Sequence, residues 1–271
     1  MEFMKPEEAI ELVKSQFPFP NYMDTTQDGC LNVAYTVLKY LQPGARVLDF
    51  GAGATDKTAV LQTLGFRCTA CDDLQDAWHL EEDNRQKILK FADSLGIEFQ
   101  VASDGALPFA KESYDMLMLH DVLEHLHDSP RDLINDLLGL VKPEGLLFVT
   151  VPNIVNIRKR LAVISGRTNL PDYSVYYWYP GHWRGHVREY AEDDLRQLAE
   201  FLALEIVELH CCHHMLHRIP RMARPPYLAV TRVFTSWRDT WSLVAQKKQG
   251  WTPRKALSSA DPRKLKPQIT D

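Results

Sequence analysis

The segment Arg-Val-Leu-Asp-Phe-Gly-Ala-Gly-Ala-Thr-Asp at residues 46–56 constrains the fold of this chain more than any other feature. Its first apolar residues, ending at Leu48, are typical of a buried parallel strand, and Asp49 lies at the carboxyl end of that strand. Gly51 and Gly53 follow, and a glycine permits positive φ and a close approach of the backbone to a ligand. Strand-to-helix turns of this kind bind nucleotide-like ligands in open α/β sheets, so the segment predicts an α/β fold with a ligand site here.

Strand-like and helix-like segments alternate along most of the chain. The strand-like segments are 45–50, 66–71, 97–102, 113–119, 145–151, 204–210 and 239–246. The helix-like segments are 5–17, 29–41, 56–64, 84–95, 130–141 and 192–202. Strands separated by helices of this length indicate crossover connections. The pattern predicts a Rossmann-like, seven-stranded, mostly parallel sheet with helices on both faces.

The same pattern predicts one large α/β domain at residues 44–248, preceded by a helical cap at 1–43. Two insertions interrupt the alternation. An aromatic-rich lid occupies 153–190, and a segment with five arginines occupies 211–238 between the last two strands. The polar, proline-containing tail at 249–271 is predicted to be flexible.

Composition and charge exclude several classes of protein. The formal net charge of −5 argues against a nucleic-acid binder, which needs clustered Lys and Arg for phosphate contacts. The sequence has no run of about 18 apolar residues, so no membrane span is predicted. The acidic start lacks the apolar core that a secretory signal requires. The five cysteines are odd in number and lie in apolar or helical contexts, which predicts reduced thiols and a cytoplasmic location.

The glycine turn differs from the dinucleotide fingerprint Gly-x-Gly-x-x-Gly, because Asp56 occupies the position of its last glycine. An aspartate at a helix N-terminus would repel a pyrophosphate. A carboxylate here suits a positively charged ligand instead, and a nicotinamide-dependent oxidoreductase is disfavoured.

The turn resembles motif I of the class I S-adenosylmethionine (SAM) methyltransferases, usually Val-Leu-Asp-x-Gly-x-Gly-x-Gly, with Thr55 in place of the third glycine. Four further segments match that family in order and spacing. They are the acidic pair 72–73, the Asp-Gly-Ala-Leu-Pro-Phe segment at 104–109, the segment 114–126 with Val-Leu-Glu-His-Leu, and the helix-turn-strand segment 141–153. The resemblance extends to about 48–248 through the segment Gly185–Leu195. The chain is thus identified as a member of the small-molecule subfamily, similar to bacterial methyltransferases of ubiquinone synthesis and of glycan and secondary-metabolite pathways.

The resemblance implies SAM as cofactor and S-adenosylhomocysteine (SAH) as product. The cofactor-binding residues it implies are Asp49, Gly51, Gly53, Asp72, Asp73, Ser103, Asp104, Gly105 and His120. An acidic residue about 20 positions after the glycine turn can accept both ribose hydroxyls, and the choice within the pair 72–73 stays open. The segment at 103–105 is expected to receive the adenine, and His120 to border the methionine half.

The sulfonium of SAM is already a good electrophile, so catalysis needs mainly positioning of the acceptor, plus proton removal when the acceptor is a hydroxyl. Histidine has a suitable pKa for that base, and the candidates are His125, His182 and His186. The expected activity is methyl transfer to oxygen of a small-molecule or sugar-containing acceptor. The alternatives are N-methylation in a secondary metabolite, which needs no strong base, and a catalytically inactive SAM-binding partner subunit.

A divalent metal is a further, less favoured hypothesis for the same residues. In some relatives a Glu-x-x-Glu-His segment and one later histidine hold a metal that orients a substrate hydroxyl. Asp121, Glu124 and His125, with His186 or His182, occupy the corresponding positions, and a helix beginning at 121 would put Asp121 and His125 on one face. Leu-Glu-His also occurs widely in methyltransferases without a metal, where the glutamate caps or ion-pairs and the histidine packs.

Three other groups of residues permit two interpretations each. The run 210–217, rich in His and Cys, lacks the paired spacing of a zinc site and is predicted to end strand six, lead into a helix and line the acceptor pocket. The aromatic residues at 173–183 would close over the acceptor or merely pack the insertion. The arginines would bind a phosphate or carboxylate of the acceptor or form a solvated basic face; they are Arg184, Arg188, Arg218, Arg221 and Arg224.

Overall fold

The structure is a computed structural model that describes residues 4–102, 108–168 and 170–255. Its strands are Arg46–Phe50 (β1), Arg67–Asp72 (β2), Glu98–Val101 (β3), Tyr114–His120 (β4), Val141–Pro152 (β5), Leu204–Cys212 (β6) and Thr240–Lys247 (β7). Its α-helices are Pro6–Gln16 (α1), Tyr22–Tyr40 (α2), Asp56–Thr63 (α3), Ala77–Leu80 (α4), Asn84–Ser94 (α5), Pro130–Leu138 (α6), Ile157–Ile164 (α7), Tyr173–Tyr177 (α8), Glu192–Phe201 (α9) and Arg224–Val233 (α10).

All seven strands form one sheet in the order β3-β2-β1-β4-β5-β7-β6. Strands β1 to β5 are parallel, and β7 runs antiparallel to both of its neighbours. The predicted seven-stranded, mostly parallel sheet is confirmed. Because the strand order reverses direction between β1 and β4, their carboxyl ends form the crevice where open α/β sheets bind ligands.

Helices cover both faces of the sheet because successive strand residues point to opposite sides. Val47 and Met116 lie in the core cluster shared with α1, α2 and α3. Leu48 and Leu117 lie in the cluster shared with α6 and α9. Burying one such side chain completely stabilises the fold by roughly 1.5–3 kcal/mol, so the two apolar layers hold the carboxyl edge of the sheet in place.

Three boundaries differ from the sequence prediction. Strand β5 begins at Val141, where the sequence predicts the end of a helix and a strand only from residue 145. Helix α2 begins at Tyr22 and passes through Gly29, because Met23 and Cys30 extend its buried apolar side toward the N-terminus. The ordered domain also continues past the predicted start of the tail at 249. Trp251 Nε1 donates to the carbonyl oxygen of Leu202 at 2.6 Å, and the backbone N–H of Arg254 donates to the Asn135 side chain at 2.6 Å.

The insertion at 153–190 contains α7 and α8, and the insertion at 211–238 contains α10. Within the described residues, no helix has both the length and the apolar character needed to cross a bilayer.

Candidate active site

Two contiguous cavities lie at the carboxyl ends of β1, β4 and β5. The larger has a volume of about 740 Å³ and lies beside the glycine turn, whereas the smaller has a volume of about 270 Å³ and lies beside β6 and β7. Thr26, Lys57 and Asp121 border both cavities. A ligand in one cavity would therefore lie directly next to a ligand in the other.

The two glycines of the turn are required for different reasons. Gly51 has φ +80°, and a Cβ atom there would lie 2.3 Å from Val122 Cγ2. Gly53 has φ +51°, and no heavy atom of the other described residues, its two chain neighbours aside, lies within 4 Å of the position its Cβ would take. Gly51 therefore permits packing against the turn after β4, and Gly53 presents bare backbone to the larger cavity. Thr55, which replaces the third glycine of the motif, also adopts the left-handed conformation, with φ +65°.

Asp49 lies beneath the turn rather than in a cavity wall. Its buried carboxylate accepts a hydrogen bond from Thr58 Oγ1 at 2.5 Å, and burial raises its pKa to about 6. Asp49 is not among the described residues that line either cavity. Asp49 therefore lies under α3 with its carboxylate bonded to Thr58, and its predicted cofactor contact stays a prediction.

The two aspartates after β2 have different hydrogen-bond partners. Asp72 Oδ2 accepts the backbone N–H of Gly53 at 2.8 Å, and Oδ1 accepts that of Leu74 at 2.8 Å. Both oxygens of Asp73 instead accept from Arg184 Nη2 at 2.9 Å. Asp72 thus joins the glycine turn and faces the larger cavity, while Asp73 is engaged by the 153–190 insertion.

Arg184 fixes the insertion across the larger cavity. Besides Asp73, it donates from Nε to Asp76 at 2.5 Å, and its carbonyl oxygen accepts from His125 Nδ1 at 2.7 Å. It also lines the larger cavity. The interpretation of Arg184 as a receptor for an acceptor phosphate is wrong for this structure, because its guanidinium already binds two carboxylates of the chain itself.

We expect Arg184→Ala to release this segment and to raise the dissociation rate of a ligand in the larger cavity about tenfold, since a partly exposed ion pair contributes up to about 1 kcal/mol and Arg184 makes two of them. Stopped-flow displacement of SAH would measure the rate. Arg188→Ala is the matched control, because Arg188 pairs with Asp194 and lines neither cavity. Equal rates for both variants and the parent protein would contradict a role of Arg184 in retention.

The larger cavity is strongly acidic. Among the described residues, the carboxylates that line it are Asp56, Asp72, Asp73, Asp76, Asp121 and Asp128, and the Lys and Arg side chains are Lys57 and Arg184. His120 also lines it, with Nδ1 bonded to Thr150 Oγ1 at 3.0 Å, and burial lowers the pKa of His120 well below its ordinary value. An acidic cavity with a neutral histidine favours a ligand that carries positive charge. Ser103, Asp104 and Gly105 lie outside the described residues.

Three side chains converge where the two cavities meet. Donor atoms of Glu124, His125 and His186 all lie within 4.8 Å of one another. The Nδ1 atoms of both histidines are occupied, that of His125 by the Arg184 carbonyl and that of His186 by Glu189 Oε1 at 2.9 Å. The Nε2 lone pairs are therefore available for a proton or a cation.

Glu124 is the unusual member of this cluster. It is fully buried, and neither carboxylate oxygen has a hydrogen-bond partner within the described part of the chain. Burial, together with the nearby carboxylate of Asp121, raises its pKa well above the ordinary value. Burying a carboxylate without a partner is costly, so the position favours a cation or proton at this point.

Two predicted members do not join the cluster. Asp121 has φ +55°, and the residues Leu123–His125 form a single 3₁₀ turn rather than an α-helix. The expectation that Asp121 and His125 share one face of a helix is therefore wrong. His182 packs against His127 with ring centroids 4.4 Å apart and lines the outer part of the larger cavity.

The histidine-rich run after β6 partly follows expectation. His214, Met215 and His217 line the smaller cavity, but the predicted helix is only the 3₁₀ turn Leu216–Arg218. The aromatic residues Tyr173–Trp178 are exposed and line neither cavity, so a pocket role for them is not observed.

Lys57 is a site residue that the sequence did not single out. Burial opposes its charge, but the carboxylates of Asp56 and Asp121 raise its pKa above the ordinary value. Its Cε lies 3.6 Å from the Cβ position of Gly29, so the absence of a side chain at Gly29 makes room for it. No local pattern signals this lysine, because only the packing of α2 against α3 brings it to the cavities.

A family model described as a methyltransferase domain matches residues 29–209, about two thirds of the chain. A ubiquinone biosynthesis O-methyltransferase of Xanthomonas campestris is 28% identical over 132 residues, which cover 48% of this chain and 53% of that protein. A demethylmenaquinone methyltransferase of Corynebacterium efficiens is 30% identical over 109 residues, 40% of this chain and 42% of the relative. The chain thus spans about half the length of the curated relatives it matches.

A solved structure with a similar fold is the 1,6-didemethyltoxoflavin-N1-methyltransferase of Burkholderia thailandensis with bound 1,6-didemethyltoxoflavin and SAH. The two share a TM-score of 0.53 and 18% sequence identity, over 92% of this chain and 93% of the other.

Proposed function

Because the chain belongs to the class I SAM-dependent methyltransferase family, we propose that it transfers the methyl group of SAM to a hydroxyl oxygen of a small molecule bound in the smaller cavity. The observation that carries this proposal is the position of Glu124, His125 and His186 at the junction of an acidic, cofactor-sized cavity with a second, smaller one.

The larger cavity fits SAM in three respects. The described residues leave open space beside Gly53, so the cofactor can approach the backbone closely. A carboxylate has about four acceptor sites, and Asp72 uses two of them for backbone N–H groups, which leaves capacity for the ribose hydroxyls. The excess of carboxylates suits a sulfonium. When bound, SAM supplies the electrophilic methyl group.

The smaller cavity suits a compact acceptor. Its volume of about 270 Å³ lies just below the usual range for small-molecule sites, which begins at about 300 Å³, and a single aromatic or sugar ring is the size of acceptor that suits it. His186 borders this cavity, and burial lowers the pKa of His186 to about 4. The imidazole is therefore neutral at neutral pH, and its Nε2 lone pair can accept a hydrogen bond from the hydroxyl of an acceptor.

A divalent cation at the same cluster is a second candidate, favoured by the unpartnered carboxylate of Glu124. Glu124, His125 and His186 would hold it, and the hydrogen bonds at both Nδ1 atoms are those that orient histidine ligands in metal sites. Such a cation would lower the pKa of an acceptor hydroxyl.

Paired acceptors test the proposal. The chain would be incubated with SAM labelled in the methyl group and with matched small molecules that carry either a hydroxyl or an amine on the same ring. We expect acceptor-dependent SAH release with label on oxygen. Label on nitrogen alone would replace the proposal with N-methylation, and SAM binding without acceptor-dependent SAH for any acceptor would indicate a catalytically inactive SAM-binding subunit.

A further inference from the structure

Exposed apolar side chains are concentrated in the two insertions. Among the described residues, 15 of the 21 exposed large apolar side chains lie in 153–190 and 211–238, although these segments make up only about a quarter of the sequence. Helices α7 and α8 bury no residue at all, and α10 buries only Thr231. Helices that leave their apolar sides in water lack a partner surface.

The same segments are strongly basic. The lid insertion contains six Lys and Arg against two acids, and the second insertion contains five Arg and no acid. Because the whole chain has a net charge of −5, this excess of nine positive charges leaves the remainder at −14. Five of these arginines are exposed and have no carboxylate within 4.0 Å in the described structure; they are Arg160, Arg167, Arg218, Arg221 and Arg232.

The two insertions lie side by side. Arg158 Nη2 donates to Met215 Sδ at 3.7 Å, and Asn153 Nδ2 donates to the carbonyl oxygens of Ser236 and Arg238 at 2.8 Å. Both insertions also contribute to the wall of the smaller cavity. The exposed apolar and basic residues of 157–178 and 218–234 are therefore treated as one surface, the insertion face.

We propose that the insertion face docks on an anionic lipid bilayer. Short helices with apolar side chains and flanking arginines are the composition that places a protein at the headgroup boundary, and acidic headgroups supply the charges that the exposed arginines lack. Ile164, Trp178 and Met222, each at least 78% exposed, would enter the interface first. Charge complementarity favours a lipid surface over a second copy of this chain. In a symmetric dimer two identical basic faces would lie against each other, and their positive charges would repel.

Vesicle co-sedimentation of the full chain tests the proposal. We expect binding to phosphatidylcholine vesicles that contain phosphatidylglycerol, no binding to phosphatidylcholine alone, and weakening by added salt. The double variant Arg167→Gln, Arg221→Gln is expected to lower the partition coefficient roughly thirtyfold. Its matched control is Arg131→Gln, Arg196→Gln, because both arginines are exposed but lie outside the insertion face.

A second set of variants tests the contribution of the exposed apolar side chains to vesicle binding. Ile164→Ser with Trp178→Ser should reduce vesicle binding, whereas Leu80→Ser, which changes an exposed leucine elsewhere, should not. SAM affinity serves as the folding check for every variant. Absence of vesicle binding, equal loss in test and control variants, or a concentration-dependent dimer that Ile164→Ser abolishes would each overturn the proposal.

Discussion

Replacing His186 by glutamine is expected to lower kcat for methyl transfer by about 10²- to 10⁴-fold, the usual contribution of a positioned proton acceptor, and to leave the Kd for SAM unchanged. The reason is that His186 borders the smaller cavity and not the larger one. Steady-state SAH release and calorimetric titration with SAM would measure the two quantities. His210→Gln is the matched control, since this histidine lies outside the cluster and lines neither cavity.

Chelation separates the two chemical roles of the cluster. If a divalent cation is held there, exhaustive chelation abolishes turnover, Mg²⁺ or Mn²⁺ restores it, and the added cation raises the Tm of the parent protein but not that of Glu124→Gln. If chelation changes neither turnover nor Tm, the histidines act without a metal. Turnover that survives both His125→Gln and His186→Gln would contradict hydroxyl activation and favour an amine acceptor, which needs no strong base.

Gly51→Ala is expected to abolish detectable SAM binding and to lower the free energy of unfolding by roughly 2–6 kcal/mol. The cost combines about 1–3 kcal/mol for a side chain at positive φ with about 1–3 kcal/mol for overpacking, since the new Cβ would lie 2.3 Å from Val122 Cγ2. Urea denaturation and calorimetry would measure the two effects.

Two further variants separate the cost of a side chain at positive φ from the cost of overpacking. Gly44 has φ +94° and, in the part of the chain that the structure describes, open space at its Cβ position, so Gly44→Ala should incur only the conformational cost and keep SAM affinity. Adding Val122→Ala to Gly51→Ala removes the clashing methyl group and should recover part of the stability. Normal SAM binding by Gly51→Ala alone would contradict the role assigned to this turn.

Most of the sheet could be predicted because its signals are local. The apolar strand segments and the intervening helices follow from hydrophobic periodicity, and all seven predicted strands are present. The boundaries of α2 and of the C-terminal packed segment could not be predicted, because burial of Met23 and the contact of Trp251 with Leu202 depend on distant parts of the chain.

The candidate site was predictable in part. The sequence identified His125, His186 and the acidic pair 72–73, but it gave no reason to separate His186 from His182 or Asp72 from Asp73. Asp73 differs from Asp72 because it pairs with Arg184, which lies 111 residues away in the sequence. Lys57 was missed, since nothing in its neighbourhood distinguishes it from a solvated helix lysine.

By itself, the sequence determined the α/β sheet and the conformation of the turn at 46–56, because positive φ at Gly51 and Gly53 is a property of single residues and their neighbours. Only the tertiary structure decided which side chains share a cavity. His125 and His186, or Asp73 and Arg184, meet because the strand order and the lid insertion bring remote segments to one edge of the sheet. Such contacts depend on the packing of whole elements, and no local pattern encodes them.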